Sequence, residues 1–300
     1  YTACNGDVPA EWPVSNSTGA GGYPMSIALP QSVNTYFAQL ERLVGLCRTT
    51  TMARNLGLDF PQFQEVGPFT LGVVDVSPLD MAAAYAAFPA RGMYCTPLPV
   101  SRILDRDGET LVEYEPECER VMPKAAADSM NQMLSYVQSP SGFGASLMLD
   151  QPSAAKTGTT TSNYAVWYMG YTPNLVTSSM LAGANDSGTQ RTLVGVPLRG
   201  VPLSFDEIGG SSLAGPMWYE AMRLIQKWLP NRSFRTPGAL GPTPGDTPYA
   251  PPPETDDDGG DNGNDNGGDD NGNNNGNNGG NDNGNNGNGL GPLQGPRGNR

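Results

Sequence analysis

Lys156-Thr157-Gly158-Thr159 lies within SAAKTGTTTSNYAVWYMGYTP, residues 153–173. The tetrapeptide combines a compact ammonium charge, two hydroxyls and a missing side chain. A lysine on a strand is a point-like cation on a flexible stem. Neighbouring threonine hydroxyls can donate hydrogen bonds to a carboxylate. Gly158 clears room for a second backbone to lie alongside. Together these residue types describe a slot for an extended peptide that ends in a carboxylate and adds to a sheet edge.

The sequence contains no histidine. That excludes catalytic schemes built on a Ser-His or Cys-His pair and removes the commonest metal ligand. Acyl-transfer chemistry in this chain would need another base, and lysine is the obvious one. Net charge is -13, of which residues 254–300 carry -7 and residues 1–253 carry -6. A mildly acidic folded part excludes a nucleic-acid partner, because phosphate backbones need a basic face.

Lys156 and its neighbours need a sheet. From residue 153 the hydrophobic period becomes two, which predicts strands over 153–161, 164–171 and 175–184. A tight connection at Thr172-Pro173-Asn174 follows the middle strand. In that strand Ala165, Trp167, Met169 and Tyr171 share one face. Ahead of the sheet the pattern is helical. Helices are predicted over 33–44, ended by Gly45, and over 49–56, ended by Gly57. Ser77, Pro78 and Asp80 open another helix with a capping box. Pro123 opens one that runs to Val137, with Met130, Leu134 and Val137 on one face. A last helix spans 213–228. Residues 1–25 read as loop. Helices first, then a meandering antiparallel sheet, then a closing helix make an α+β layered fold.

Cys95 and Cys118 bracket a hairpin, 100–105 and 109–114, turned at Asp107-Gly108. Antiparallel pairing brings the two cysteines close. A disulfide is favoured over two free buried thiols, which suits an oxidising compartment. Cys4 with Cys47 is a weaker pairing by elimination. No spacing fits a metal site. No apolar run reaches the roughly 18 residues of a membrane span. The sequence divides into a folded part (1–236), a Pro/Gly/Thr-rich linker (237–255) and a Gly/Asn/Asp-rich tail (256–300). The tail lacks the residues to bury a core, and its composition predicts disorder. It has neither the regular period nor the apolar positions of a calcium-binding repeat.

KTGTTTSNYAVWYMGYTPNLVTSSMLAGAND (156–186) resembles the penicillin-binding transpeptidases, specifically the bifunctional class A enzymes of actinobacterial type. Their KTGT strand is followed by a W-[FY]-x-G-Y-[TS]-P strand, matched here by Trp167, Tyr168, Gly170, Tyr171, Thr172 and Pro173. VSPLDMAAAYAAFPARG and GGSSLAGPMW also resemble family segments, so the likeness covers about residues 20–230. Ala165 departs from the pattern, because many relatives carry an acidic residue two positions before the strand tryptophan.

The resemblance implies a serine β-lactamase/transpeptidase-like fold, with an antiparallel sheet packed between helices, and an active site of three motifs, S-x-x-K, S-x-N and K-T-G. Ser32-Val33-Asn34 matches the second, 124 residues before Lys156, and is favoured over Ser129-Met130-Asn131, only 27 before it. In the family this serine moves a proton to or from the leaving group, and the asparagine positions the substrate amide. Lys156, Thr157, Gly158 and Thr159 would hold the substrate carboxylate. The only S-x-x-K is Ser153-Ala-Ala-Lys156, which shares its lysine with K-T-G. One lysine cannot both activate a nucleophile and anchor a carboxylate. The acylated serine is therefore expected outside these residues, in a longer parent protein.

The implied activity is cross-linking of peptidoglycan stem peptides ending in D-Ala-D-Ala, through a serine acyl-enzyme that β-lactam antibiotics trap. No metal or organic cofactor is implied. The parent would be anchored by an N-terminal helix at the extracytoplasmic face of the bacterial membrane and carry a glycosyltransferase domain. A catalytically inert peptidoglycan-binding module and a serine β-lactamase are the alternatives.

Overall fold

The computed structural model describes residues 12–19 and 21–238. The linker from residue 239 onward, the 256–300 tail and Cys4 lie outside the described residues.

The chain enters through a one-turn helix α1 (Met25–Ala28), which starts where the predicted loop ends and for which the sequence pattern gives no element. Helix α2 (Asn34–Val44) follows with Val33 as its N-cap, and α3 (Leu46–Asn55) begins only two residues later. The pattern predicts α3 three residues late because Gly45 reads as a stop. In the structure Gly45, at φ 95°, serves as C-cap of one helix and N-cap of the next. Helix α4 (Pro78–Ala86) starts where the capping residues place it, with the Ser77 hydroxyl accepting from the Asp80 N–H at 3.1 Å.

Four short strands come next: β1 (Met93–Cys95), β2 (Arg102–Leu104), β3 (Thr110–Glu113) and β4 (Cys118–Arg120). β2 pairs with β3, as the Asp107-Gly108 turn predicts, and β1 pairs with β4, placing Cys95 opposite Cys118. These two cysteines form a disulfide. Helix α5 (Lys124–Ser135) then leads into the main sheet of β5 (Ala154–Thr159), β6 (Ala165–Thr172), β7 (Leu175–Ala184) and β8 (Gln190–Arg191). The sheet is antiparallel in the order β5-β6-β7-β8, so β5 is an edge strand. A minor ladder, β9 (Pro197–Leu198) with β10 (Val201–Pro202), precedes a π-turn at Gly210–Ala214. Helix α6 (Gly215–Ile225) closes the fold, starting two residues later than its periodicity suggests because the π-turn absorbs Leu213 and Ala214.

Helices cover both faces of this sheet. On one side Tyr171 and Ala154 pack with Leu29 and Leu134, the last from α5. On the other, Val166, Tyr168 and Ala155 pack with Trp218 and Met222 of α6. The sequence gives β6 one apolar face. In the structure residues on both faces are buried, as expected for a central strand between two helical layers. Gly170 shows how close the layers come: a Cβ there would sit 2.2 Å from the Trp218 indole.

Candidate active site

Ser32 occupies the junction between α1 and α2. The Ser32 N–H donates to the Leu29 carbonyl at 3.1 Å, and the Val33 N–H donates to that of Ala28 at 2.9 Å. This tight reversal forces Ser32 into the left-handed region, at φ 48°. A serine there carries a conformational cost, and such costs cluster at functional sites. The residues on its far side are pinned by the preceding segment. The Asn34 side-chain amide donates to the Ser15 carbonyl at 2.9 Å, and the Thr35 N–H donates to Asn16 Oδ1 at 2.9 Å.

Lys156 reaches this junction from β5, 124 residues along the chain. Its ammonium donates to the Ser32 hydroxyl, and to the Thr157 carbonyl at 2.8 Å. Among the described residues no carboxylate forms an ion pair with it. Burial without a counter-charge disfavours the ammonium and pulls its pKa from 10.5 down to about 8. At neutral pH the lysine still holds its proton, but more loosely than a surface lysine, and a hydroxyl lies directly on the path that proton would take.

The same shift has a consequence for stability. The unfolded chain holds this proton up to 10.5, the folded one only to about 8. Below pH 8 the folded state bears the full cost of a buried cation. Through the window from 8 to 10.5 the unfolded state holds more protons, and stability rises with pH. Lys156→Met is expected to raise stability at pH 7 and to flatten that rise in denaturant titrations of the chain. A variant less stable than wild type at pH 7 would show that the Ser32 contact outweighs the burial cost.

The rest of the tetrapeptide follows from strand alternation. The Thr160 N–H donates to the Ala165 carbonyl on β6 at 3.0 Å. By the alternation of an antiparallel ladder, the N–H groups of Thr157 and Thr159 then point away from β6, toward the free edge. The Thr159 hydroxyl accepts from the Gly210 N–H at 3.1 Å, which fixes its oxygen and leaves its own hydrogen to donate. Gly210 is required there, since a Cβ would sit 2.4 Å from the Trp167 carbonyl and 2.8 Å from that of Gly158. The π-turn thus braces β5 from behind. Sequence reasoning missed this brace; the paired glycines Gly209-Gly210 were its only signal.

The other motif matches are committed elsewhere. The Ser153 hydroxyl is buried and donates to Gln138 Oε1 at 2.6 Å, in a network that includes Tyr168. The Ser129 hydroxyl donates to the Ala125 carbonyl of its own helix. The Asn131 amide bridges the Phe88 carbonyl and the Tyr171 hydroxyl in the core. Ser32 and Lys156 are the pair the fold brings together.

A family model for the penicillin binding protein transpeptidase domain matches residues 4–194. The chain is 30% identical over 224 residues to penicillin-binding protein 1A of Aquifex aeolicus, covering 72% of this chain and 28% of that protein. It is 31% identical over 163 residues to penicillin-binding protein 1F of Bacillus subtilis, covering 52% of this chain and 22% of that one. It therefore spans less than a third of the length of these relatives. The penicillin-binding protein PonA1 of Mycobacterium tuberculosis superposes with a TM-score of 0.62 at 27% identity, covering 81% of this chain and 66% of that chain. A second PonA1 structure, in complex with penicillin V, gives a TM-score of 0.58 at 25% identity, covering 75% and 62%. With the match running through both the Ser32 junction and the Lys156 strand, the chain belongs to the penicillin-binding protein transpeptidase family, on its class A branch.

Proposed function

We propose that this chain supplies the second and third motifs of a peptidoglycan D,D-transpeptidase. The observation that carries the reading is the hydrogen bond between Lys156 and Ser32, because it joins S-x-N and K-T-G across the junction of sheet and helices. The nucleophilic serine and its own lysine come from outside these 300 residues. The chain's one S-x-x-K serine, Ser153, is tied into the core by Gln138.

In the reaction the serine oxygen attacks the carbonyl of the penultimate D-alanine, and the amide nitrogen of terminal D-alanine leaves with a proton. The lysine paired with the nucleophile takes the attacking serine's proton, while the Ser32 hydroxyl delivers a proton to the leaving nitrogen and is replenished from the Lys156 ammonium that donates to it. An amine from a second stem peptide then takes the acyl group, and the proton it loses returns by the same path. The substrate lies along the free edge of β5. Lys156 and the Thr157 and Thr159 hydroxyls hold its terminal carboxylate, with Gly158 leaving room for its backbone. The outward Thr159 N–H serves as one oxyanion donor. Asn34 positions the substrate amide by exchanging its bond to the Ser15 carbonyl for one to substrate. β-Lactams occupy the same edge. The parent works at the extracytoplasmic face of the membrane. Residues 1–236 form the transpeptidase part, 237–255 a Pro/Gly/Thr-rich linker and 256–300 a Gly/Asn/Asp-rich tail.

Fluorescent penicillin labelling of the full-length parent, with mapping of the labelled peptide, tests this. A label on a serine outside the present residues, and none on the 300-residue chain alone, is the expected result. A label on Ser153 would overturn the assignment of Lys156. No label on the full-length protein would leave a peptidoglycan-binding module without acyl-transfer chemistry.

A further inference from the structure

A groove of about 720 Å³ opens where the segment after α6 folds back against the end of β6. Phe234 seats that segment. Its ring packs edge-on against Tyr171 with centroids 5.6 Å apart, and just upstream the Pro230 carbonyl accepts from Asn174 Nδ2 at 2.7 Å. Arg232 and Arg235 flank the seated ring and are exposed. Neither has a hydrogen-bond or ion-pair partner among the described residues.

The opposite wall is fixed. Asp128 is 2% exposed and accepts from Arg91 twice, Nε at 3.0 Å and Nη2 at 2.8 Å. Arg120 Nη1 donates to the Arg91 carbonyl at 2.8 Å. The Asn131 amide is occupied at both ends, by the Phe88 carbonyl and the Tyr171 hydroxyl. The carboxylate and the amide of the groove are therefore spent on its own walls. What is left to meet a ligand is guanidinium N–H, which can only donate, and the hydroxyls of Ser233 and Thr236. Three arginines line the groove against one aspartate. Residues 1–253 together carry -6, so this is a local positive focus on an acidic protein.

We propose that this groove binds a phosphate-type anion carried on a larger molecule, gripped by Arg232 and Arg235 with Arg91 as the fixed third cation. A lone carboxylate needs one guanidinium fork. Two exposed forks lining the same groove as a held one suit a group with several oxygens. The groove is far larger than inorganic phosphate and falls within the roughly 300–1,000 Å³ of small-molecule sites. Pro89, Pro173 and the Phe234 ring offer the remainder of the ligand an apolar wall.

Calorimetric titration of the chain with pyrophosphate tests the site. Saturable binding that weakens with added salt is expected. The double substitution Arg232→Gln/Arg235→Gln should weaken it at least about tenfold, since each charge-assisted contact is lost. Both arginines are exposed, so its melting temperature should match wild type. Arg102→Gln/Arg106→Gln, the same charge change on the β2–β3 hairpin, should leave binding intact. Absent saturable binding, unchanged affinity in the first double variant, or equal weakening in both would overturn the proposal. Sedimentation with phosphatidylglycerol vesicles, against phosphatidylcholine controls, separates the two sources of the anion. Pelleting that requires Arg232 and Arg235, together with pyrophosphate binding, assigns a lipid headgroup. Pyrophosphate binding without pelleting assigns a soluble phosphorylated ligand. Pelleting that survives the double substitution counts against the groove. None of these readouts involves acylation by penicillin.

Discussion

Lys156→Ala in the full-length parent is expected to slow acylation by penicillin about 10²–10³-fold, the usual cost of removing one group that acts on developing charge or moves a proton. On the proposed mechanism two functions would go at once: the cation that would hold the carboxylate, and the ammonium that would restore the Ser32 proton. Stability should not fall with it, since the folded state bears a desolvation cost at this lysine below pH 8. A stopped-flow acylation rate beside a melting curve separates the two effects. Lys156→Arg should recover part of the carboxylate anchoring but not the proton transfer, because a guanidinium does not release its proton. An acylation rate equal to wild type in Lys156→Ala would remove the lysine from the mechanism.

Trp218→Ala is expected to cost about 3–5 kcal/mol, the range for deleting a large buried aromatic side chain. Trp218 is 2% exposed and fills the space above Gly170. Its ring lies 5.0 Å from that of Tyr168. Its indole N–H has no hydrogen-bond partner among the described residues, so the loss is one of packing and not of a polar contact. For a folded part of this size the melting temperature should drop on the order of 10 °C. Trp218→Phe should cost less, because it leaves a smaller cavity. The damage should also reach the site, since α6 begins in the π-turn whose Gly210 braces Thr159. A loss under about 1 kcal/mol would mean that α6 is held by other contacts.

The local chemistry of the site was legible in the linear sequence. Lys156, Thr157, Gly158 and Thr159 offer a cation, two hydroxyls and a missing side chain by residue type. The period-two stretches placed these residues on a strand, and β5, β6 and β7 fall within two residues of the predicted limits. Ser77-Pro78 and Asp107-Gly108 fixed a helix start and a turn, because both signals are local: a side chain caps its own backbone, or a glycine relieves its own φ.

Contacts between distant residues were not legible in that way. The pattern gave β6 one buried face, and only the second helical layer explains why Tyr168 is as buried as Tyr171. Gly45 was read as an end, although the fold uses it as a corner between two helices. Ser32 and Ser129 match the same short motif, and spacing, with the position of Ser129 inside a predicted helix, favoured Ser32. The tertiary structure commits Ser129 and Asn131 to helix and core, while turning Ser32 toward Lys156. The loosened proton on Lys156 is likewise a product of folding. No neighbour in sequence lowers its affinity; burial between sheet and helices does. The sequence by itself determined which groups are available and on which kind of element each sits, because propensity and capping act over a few residues. Only the tertiary structure decided which groups meet and how firmly each holds its proton, because both depend on packing between segments more than a hundred residues apart.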